Sequence, residues 1–178
     1  NPSAFFLAER PEGAAGSVVV PSMEGTRPIL IEVQSLVGST SFGMPRRTAI
    51  GVDHNRVSLL TAVMDKICGI HLGASDIFLN VAGGVKVDET AIDLGIVSSM
   101  ASSFLNRPVA KGTVVFGEVG LTGEIRGISQ TEVRIKEASR MGFARCILPR
   151  TRNREGAQRP NIELIPIRSL KELTENLF

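Results

Sequence analysis

The stretch FGEVGLTGEIR, Phe116 to Arg126, decides how this chain is read. It closes a β-branched run that begins at Gly112, and Gly123 begins a second, shorter one. Residues 112–119 therefore read as a central strand and residues 123–126 as its short return strand. Downstream, Ser129 and Glu132 have capping-box spacing ahead of a helix that reaches Met141 and stops at Gly142. Arg145 to Pro149 and Ile162 to Pro166 read as strands on either side of an arginine-rich loop, and Ser169 with Glu172 repeats the capping box before a last helix to Leu177. Upstream, an apolar helix spans Ala91 to Leu105, with Pro108 beyond its end. Asp76 to Val81 reads as a buried strand, closed by Ala82-Gly83-Gly84 and continued by Val85-Lys86-Val87.

Further out, Val57, Leu60, Met64 and Ile67 recur at helical spacing, with Asn55 as the expected cap and Gly69 as the stop. Thr48 to Val52 is a short strand behind the polar loop Gly38 to Arg47, and the runs Ser17 to Pro21 and Ile29 to Leu36 form a hairpin across Gly25. Residues 1–15 read as a linker or arm, and residues 16–178 as one domain. Strands arrive in hairpins as well as between helices, so the class is α+β with a mixed sheet and packed helices.

The 178 residues suit a single core, and 43% hydrophobic with 21% charged residues is an ordinary globular composition. The only aromatic residues are eight phenylalanines, too few for a stacking platform that holds single strands. Net charge is +2, so any contact with nucleic acid must be local rather than global. Cys68 and Cys146 have no CxxC partner and read as small hydrophobes of a reduced, cytoplasmic protein. No run is long and apolar enough for a membrane span, so no membrane partner is expected. A chain that begins at Asn1 without Met reads as a piece of a longer protein.

Particular stretches carry a resemblance. The GEVGLTG of 117–123 and the helix from Ala91 resemble the strand pair and the serine-bearing helix of Lon-type proteases, a fold of the ribosomal protein S5 domain 2-like kind. A more specific match runs through ERPEG (9–13), EGTRP (24–28), PRR (45–47), Asn55-Arg56, Gly83 to Val87, Arg107-Pro108 and FGEVGLTGEIR. These resemble, from end to end, the C-terminal domain of the RadA/Sms family of bacterial DNA-repair proteins. Gly127-Ile128 departs from the Pro-Val of many relatives. The resemblance implies a zinc-binding segment and a RecA-like ATPase upstream. ATP, Mg and Zn would belong there, since no GxxxxGK[ST] loop and no paired CxxC stand in this chain. It also implies homo-hexameric rings, DNA as partner, a recombinase as a candidate partner, and branch migration driven by the ATPase.

Ser-Lys hydrolysis needs a hydroxyl at a helix start and a desolvated lysine beside it. The resemblance places Asp93 at the serine position and Glu132 at the lysine position, so the chain is expected to have no catalytic residues. Thr90 with Asp93 and Ser129 with Glu132 have capping-box spacing, which makes helix caps the favoured reading over a new acid/base pair. Ser129 with Lys136, or Ser99 or Ser102 with Lys111, rest on no motif. His54 and His71 stand outside any ligand spacing, and no metal site is expected.

Phosphate binding draws on clustered Lys and Arg. Arg46, Arg47, Lys86 and Arg126 match basic positions of the RadA/Sms pattern and are the expected DNA contacts, with pairing of Arg46 and Arg47 to Asp53 or to a neighbouring subunit as the alternative. A less specific group is Arg140, Arg145, Arg150, Arg152, Arg154 and Arg159. No motif for base readout is present, so binding would be sequence-independent and steeply salt-dependent. Two other readings remain open: a residual Ser-Lys peptidase and a purely structural ring-former.

Overall fold

The structure is a computed structural model and describes residues 1–41, 43–151 and 161–178. A seven-stranded mixed sheet runs through it. The first two strands, β1 (Ser17–Glu24) and β2 (Arg27–Ser39), form the expected hairpin. Its two-residue turn places Gly25 at φ 61°, a left-handed conformation that glycine enters without steric cost. The edge strand β3 (Arg47–Ile50) runs parallel to β4 (Ser75–Val81), which pairs antiparallel with β2. On the other side of β1, β5 (Thr113–Val115), β8 (Arg145–Pro149) and β9 (Glu163–Ile167) follow in parallel, giving the order β3-β4-β2-β1-β5-β8-β9.

Helix α3 (Asp93–Leu105) lies on one face of the sheet, buried from Asp93 to Ser102. It can approach so closely because Gly95 faces the sheet: a Cβ there would stand 2.3 Å from Val20 Cγ2. Behind it lies α2 (His54–Val63), while α5 (Leu170–Asn176) packs against β9 and against residues Met64–Cys68 that follow α2. The opposite face of β1 and β2 is covered by α4 (Thr131–Arg140) and α1 (Pro2–Leu7). Both faces are thus filled over Val18–Val20 and Ile29–Val33, which explains why these runs are continuously buried instead of alternating.

The segment read as an arm begins with a helix docked on the sheet, and other local expectations are corrected. Asn1 caps α1, and buried Ser3 donates to Glu137 Oε1 at 2.6 Å and accepts from Leu30 N–H at 3.0 Å. The cap of α2 is Asp53, whose side chain accepts from Asn55 N–H, not Asn55. The helix continues as a π-turn over Met64–Cys68 before Gly69 ends it in the left-handed region at φ 66°. Val85 to Val87 is not strand: a 3₁₀ turn over Ala82–Gly84 diverts the chain, and Val87 N–H donates to Gly51 O.

The central strand expected over 112–119 breaks at Gly117. There the backbone has φ 150° and a Cβ would meet Pro149 Cγ at 2.9 Å. Gly117 N–H turns to Ala91 O, and Gly117 O accepts from Leu94 N–H. The remaining residues form a separate two-stranded sheet, β6 (Glu118–Val119) with β7 (Ile125–Arg126). The decisive stretch thus leaves the main sheet to meet the start of α3.

Candidate functional site

The junction built by that departure centres on Asp93. A 3₁₀ turn, Thr90–Ile92, delivers it to the first position of α3, where its side chain is fully buried. Arg56 reaches it from α2, donating Nε–H to Oδ1 at 2.9 Å and a terminal N–H to Oδ2. Val119 N–H donates to Oδ2 at 3.0 Å, and Arg56 also donates to Val119 O at 3.2 Å. One carboxylate therefore ties α2, α3 and β6 together, through charge-assisted and bidentate bonds, the strong kind. Burial pushes the Asp93 carboxyl above the ordinary carboxylate range, opposed by Arg56 and the Val119 N–H. The same pairing raises the Arg56 guanidinium further above its usual value.

Neither proposed capping box at the dyad positions forms. No side chain caps α3, because the 3₁₀ turn continues its spiral backwards and turns Asp93 inward. At α4 the N-cap is Gln130, in the left-handed region at φ 62°, again without a side-chain cap. Ser129 instead offers its carbonyl to Arg134 Nε at 3.1 Å. Glu132 is exposed in the first turn of α4, and the like charge that faces Asp93 is Glu118, not Glu132. At Ser169 the cap does form: Glu172 N–H donates to Ser169 Oγ, while the Glu172 carboxylate reaches back to Arg168 N–H, one residue before the cap.

The serines considered as nucleophiles have structural bonds. Ser99 Oγ lies 2.7 Å from Ser35 Oγ and bonds Ile96 O, while Ser102 accepts from Gly16 N–H and donates to Arg107 O. His71 Nδ1 sits 2.5 Å from Asp65 on the surface, an acidic partner the sequence did not signal. Among the described residues no group of His, Cys, Asp and Glu could hold a metal ion, and no helix is long and apolar enough to cross a membrane.

The four basic candidates are not brought to one place. Arg47 opens β3 beside Ile77, near the start of β4, whereas Lys86 follows the end of β4 beyond Val81. Val87 N–H bonds Gly51 O just past the far end of β3, so about four residues of strand, roughly 13 Å, separate the two. Arg47 donates to Leu72 O at 2.9 Å and Ser75 O at 2.7 Å, so its guanidinium clips the loop before β4. Arg46 pairs with Asp76 at 3.2 Å rather than Asp53 and stays 72% exposed. Lys86 is exposed, and Arg126 is exposed beside Glu124 at 3.3 Å. In the second group Arg140 pairs with Glu137, and Arg145 bonds Thr113 and Asn176 O. Arg150 is exposed, while Arg152, Arg154 and Arg159 lie outside the described residues.

Two arginines, Arg134 buried and Arg56 half-buried, organise the site and were not singled out by sequence reasoning. Arg56 finds its partner 37 residues away. Arg134, fully buried in α4, donates to both oxygens of Glu89 at 2.6 and 2.7 Å and to Pro21 O at 3.0 Å. Burial raises the Glu89 carboxyl, but Arg134, Met23 N–H and Ser22 outweigh it and hold it below the usual range. The one available signal was the Asn55-Arg56 pair within the family pattern, which named the residue without its role.

The family model described as subunit ChlI of Mg-chelatase matches residues 31–152. The DNA repair protein RadA of Bacillus subtilis is 54% identical over 97% of this chain, and that of Halalkalibacterium halodurans 52% over 98%. The DNA repair protein RadA of Streptococcus pyogenes serotype M3 is 46% identical over the whole chain. The chain spans 38–39% of the length of these relatives. The chain belongs to the family of subunit ChlI of Mg-chelatase and is, within it, a domain of the RadA kind.

Proposed function

We propose that this chain is a non-catalytic, Lon-protease-like domain of a cytoplasmic, RadA-type recombinational DNA-repair ATPase, serving ring assembly and sequence-independent DNA binding. Residues 1–15 would lead in from the ATPase core, which would hold ATP, Mg and Zn. The observation that carries the reading is the state of Asp93. A hydrolytic site needs a hydroxyl and open backbone donors at the helix start. Here a carboxylate fills the place, Arg56 neutralises it, and the Val119 and Leu94 N–H groups are already bonded. Glu132, exposed on α4, is no amine base.

For DNA, the exposed cations Arg46, Lys86 and Arg126 support phosphate contacts, whereas Arg47 is engaged by carbonyls. Each contact would raise the salt dependence, at roughly 0.9 in log–log slope per phosphate neutralised. Mobility shift of duplex DNA with the parent and with Arg46→Ala/Lys86→Ala/Arg126→Ala tests this; equal binding by both removes the proposed contacts. Incubation with unfolded casein, beside Asp93→Ser/Glu132→Lys, tests the lack of catalysis. Cleavage by the parent would establish the residual-peptidase reading instead.

A further inference from the structure

Gly83 and Gly84 begin the loop that carries Lys86. Both lie in the left-handed region, at φ 85° and 73°, where the chain leaves β4 after Val81. A Cβ on Gly83 would stand 2.7 Å from Phe6 Cδ1, and apart from its chain neighbours the nearest atoms there all belong to the Phe6 ring. Around Gly84 the corresponding space is open. The loop borders a cleft of about 710 Å³ walled by Met23, Ile29 and Val87. Its far end is fixed, since Val87 N–H bonds Gly51 O and a Cβ on Gly51 would stand 2.7 Å from Val85 O. The near end rests on Phe6.

Phe6 is placed in turn by the docking of α1. Phe5, 74% exposed, meets the Phe6 ring edge-on with centroids 5.4 Å apart. One turn before Phe6, buried Ser3 joins two elements: its hydroxyl donates to Glu137 Oε1 of α4 and accepts from Leu30 N–H of β2. Leu30 lies beyond the stretch of β2 that β4 pairs, which begins at Val33, so Ser3 supplies the acceptor that a neighbouring strand would. Arg140 donates to both oxygens of Glu137 and holds the carboxylate toward Ser3. A six-residue helix does not persist in water alone, so α1 exists as a helix through this docking.

We propose that α1 is a strap that sets the position of the loop carrying Lys86, through the seat of Phe6 on Gly83. The strap has two states, docked or lost, and a loop hinged on two consecutive glycines follows it. When α1 leaves, Leu30 N–H loses its acceptor, Gly83 loses the ring that bears on it, and Lys86 is held from the Val87 end alone. Movement of the segment that leads into the domain is thereby felt at a cation on its surface, through a continuous chain of packed groups. The inference rests on the reading of residues 1–15 as the lead-in from an ATPase core and of Lys86 as a phosphate contact, and it joins the two.

The test is ¹⁵N relaxation on the parent, Phe6→Ala and Phe6→Leu, joined to duplex mobility shift. In the parent the backbone order parameters of Gly83, Gly84 and Lys86 are expected near ~0.85, and in Phe6→Ala below about 0.6, while those of Val114 and Val115 in β5 stay unchanged. Phe6→Leu, which keeps an apolar contact, is expected to restore most of the order. Equal order in the parent and Phe6→Ala overturns the strap. For the surface, Lys86→Ala is expected to weaken duplex binding roughly 3-fold in the parent and less than about 1.5-fold in the Phe6→Ala chain, because the two changes act on one element. The same loss in both chains overturns the link to Lys86. A parent that binds no duplex overturns the DNA reading instead, and the relaxation result then decides the strap by itself.

Discussion

Replacing Asp93 by Ala removes the acceptor for two Arg56 bonds and one Val119 bond and leaves the guanidinium facing a void. Removing one member of a buried ion pair costs about 3–5 kcal/mol, chiefly through the charge left behind. Arg56 is 28% exposed and can turn partly toward water, which places the cost near the lower end, about 3 kcal/mol. For a chain of this size that is a drop in melting temperature of about 6–12 °C. Thermal and urea unfolding of Asp93→Ala, Arg56→Ala and the double variant would measure it. Contacting partners should show about 2 kcal/mol of coupling, within the range of about 0.5–3 kcal/mol seen for such pairs. Arg56→Met/Asp93→Leu, which removes both charges and keeps volume, should regain most of the loss. A shift under about 2 °C for Asp93→Ala, or strictly additive single variants, would refute the view that this carboxylate ties α2, α3 and β6 together.

Glu89 has its carboxyl held low in the folded state, so its ionised form stabilises the protein above the unfolded carboxyl value near ~4.3, and that contribution is lost as pH falls through the folded value. Glu89→Gln should therefore unfold more easily at pH 7 and show a flatter stability profile below about pH 4.5, read by urea midpoints against pH. Gly95→Ala should cost about 1–3 kcal/mol by overpacking against Val20, and Val20→Ala in the same chain should restore part of it; an unchanged urea midpoint would contradict the close approach of α3. Arg47→Lys should lose about 1 kcal/mol, because an ammonium does not span both the Leu72 and Ser75 carbonyls, while duplex affinity in mobility shift stays within twofold of the parent by order of magnitude.

The β1–β2 hairpin, β4, the helices after Asn55 and Ala91, and the final capped helix were legible because their signals are local: β-branched runs, a 3.6-residue period, a glycine stop, a capping box. The boundary errors were local too. Thr90 with Asp93 and Ser129 with Glu132 share the capping spacing of Ser169 with Glu172, yet only the last pair caps a helix. The difference lies in what surrounds the helix start. Around α5 it is solvent and an extended Ser169; at α3 a 3₁₀ turn and the half-buried Arg56 draw the carboxylate inward.

The residues of FGEVGLTGEIR determined by themselves that two short strands meet around a tight, glycine-bearing turn, since φ/ψ freedom and β-propensity are properties of neighbours along the chain. Only the tertiary structure decided that Gly117 carries the second half out of the central sheet, that Val119 and Arg56 close on Asp93, and that Leu121 is left facing solvent. Ion pairs and exposed surfaces depend on which distant segments pack against each other, and spacing within a sequence holds no record of a partner 37 residues away.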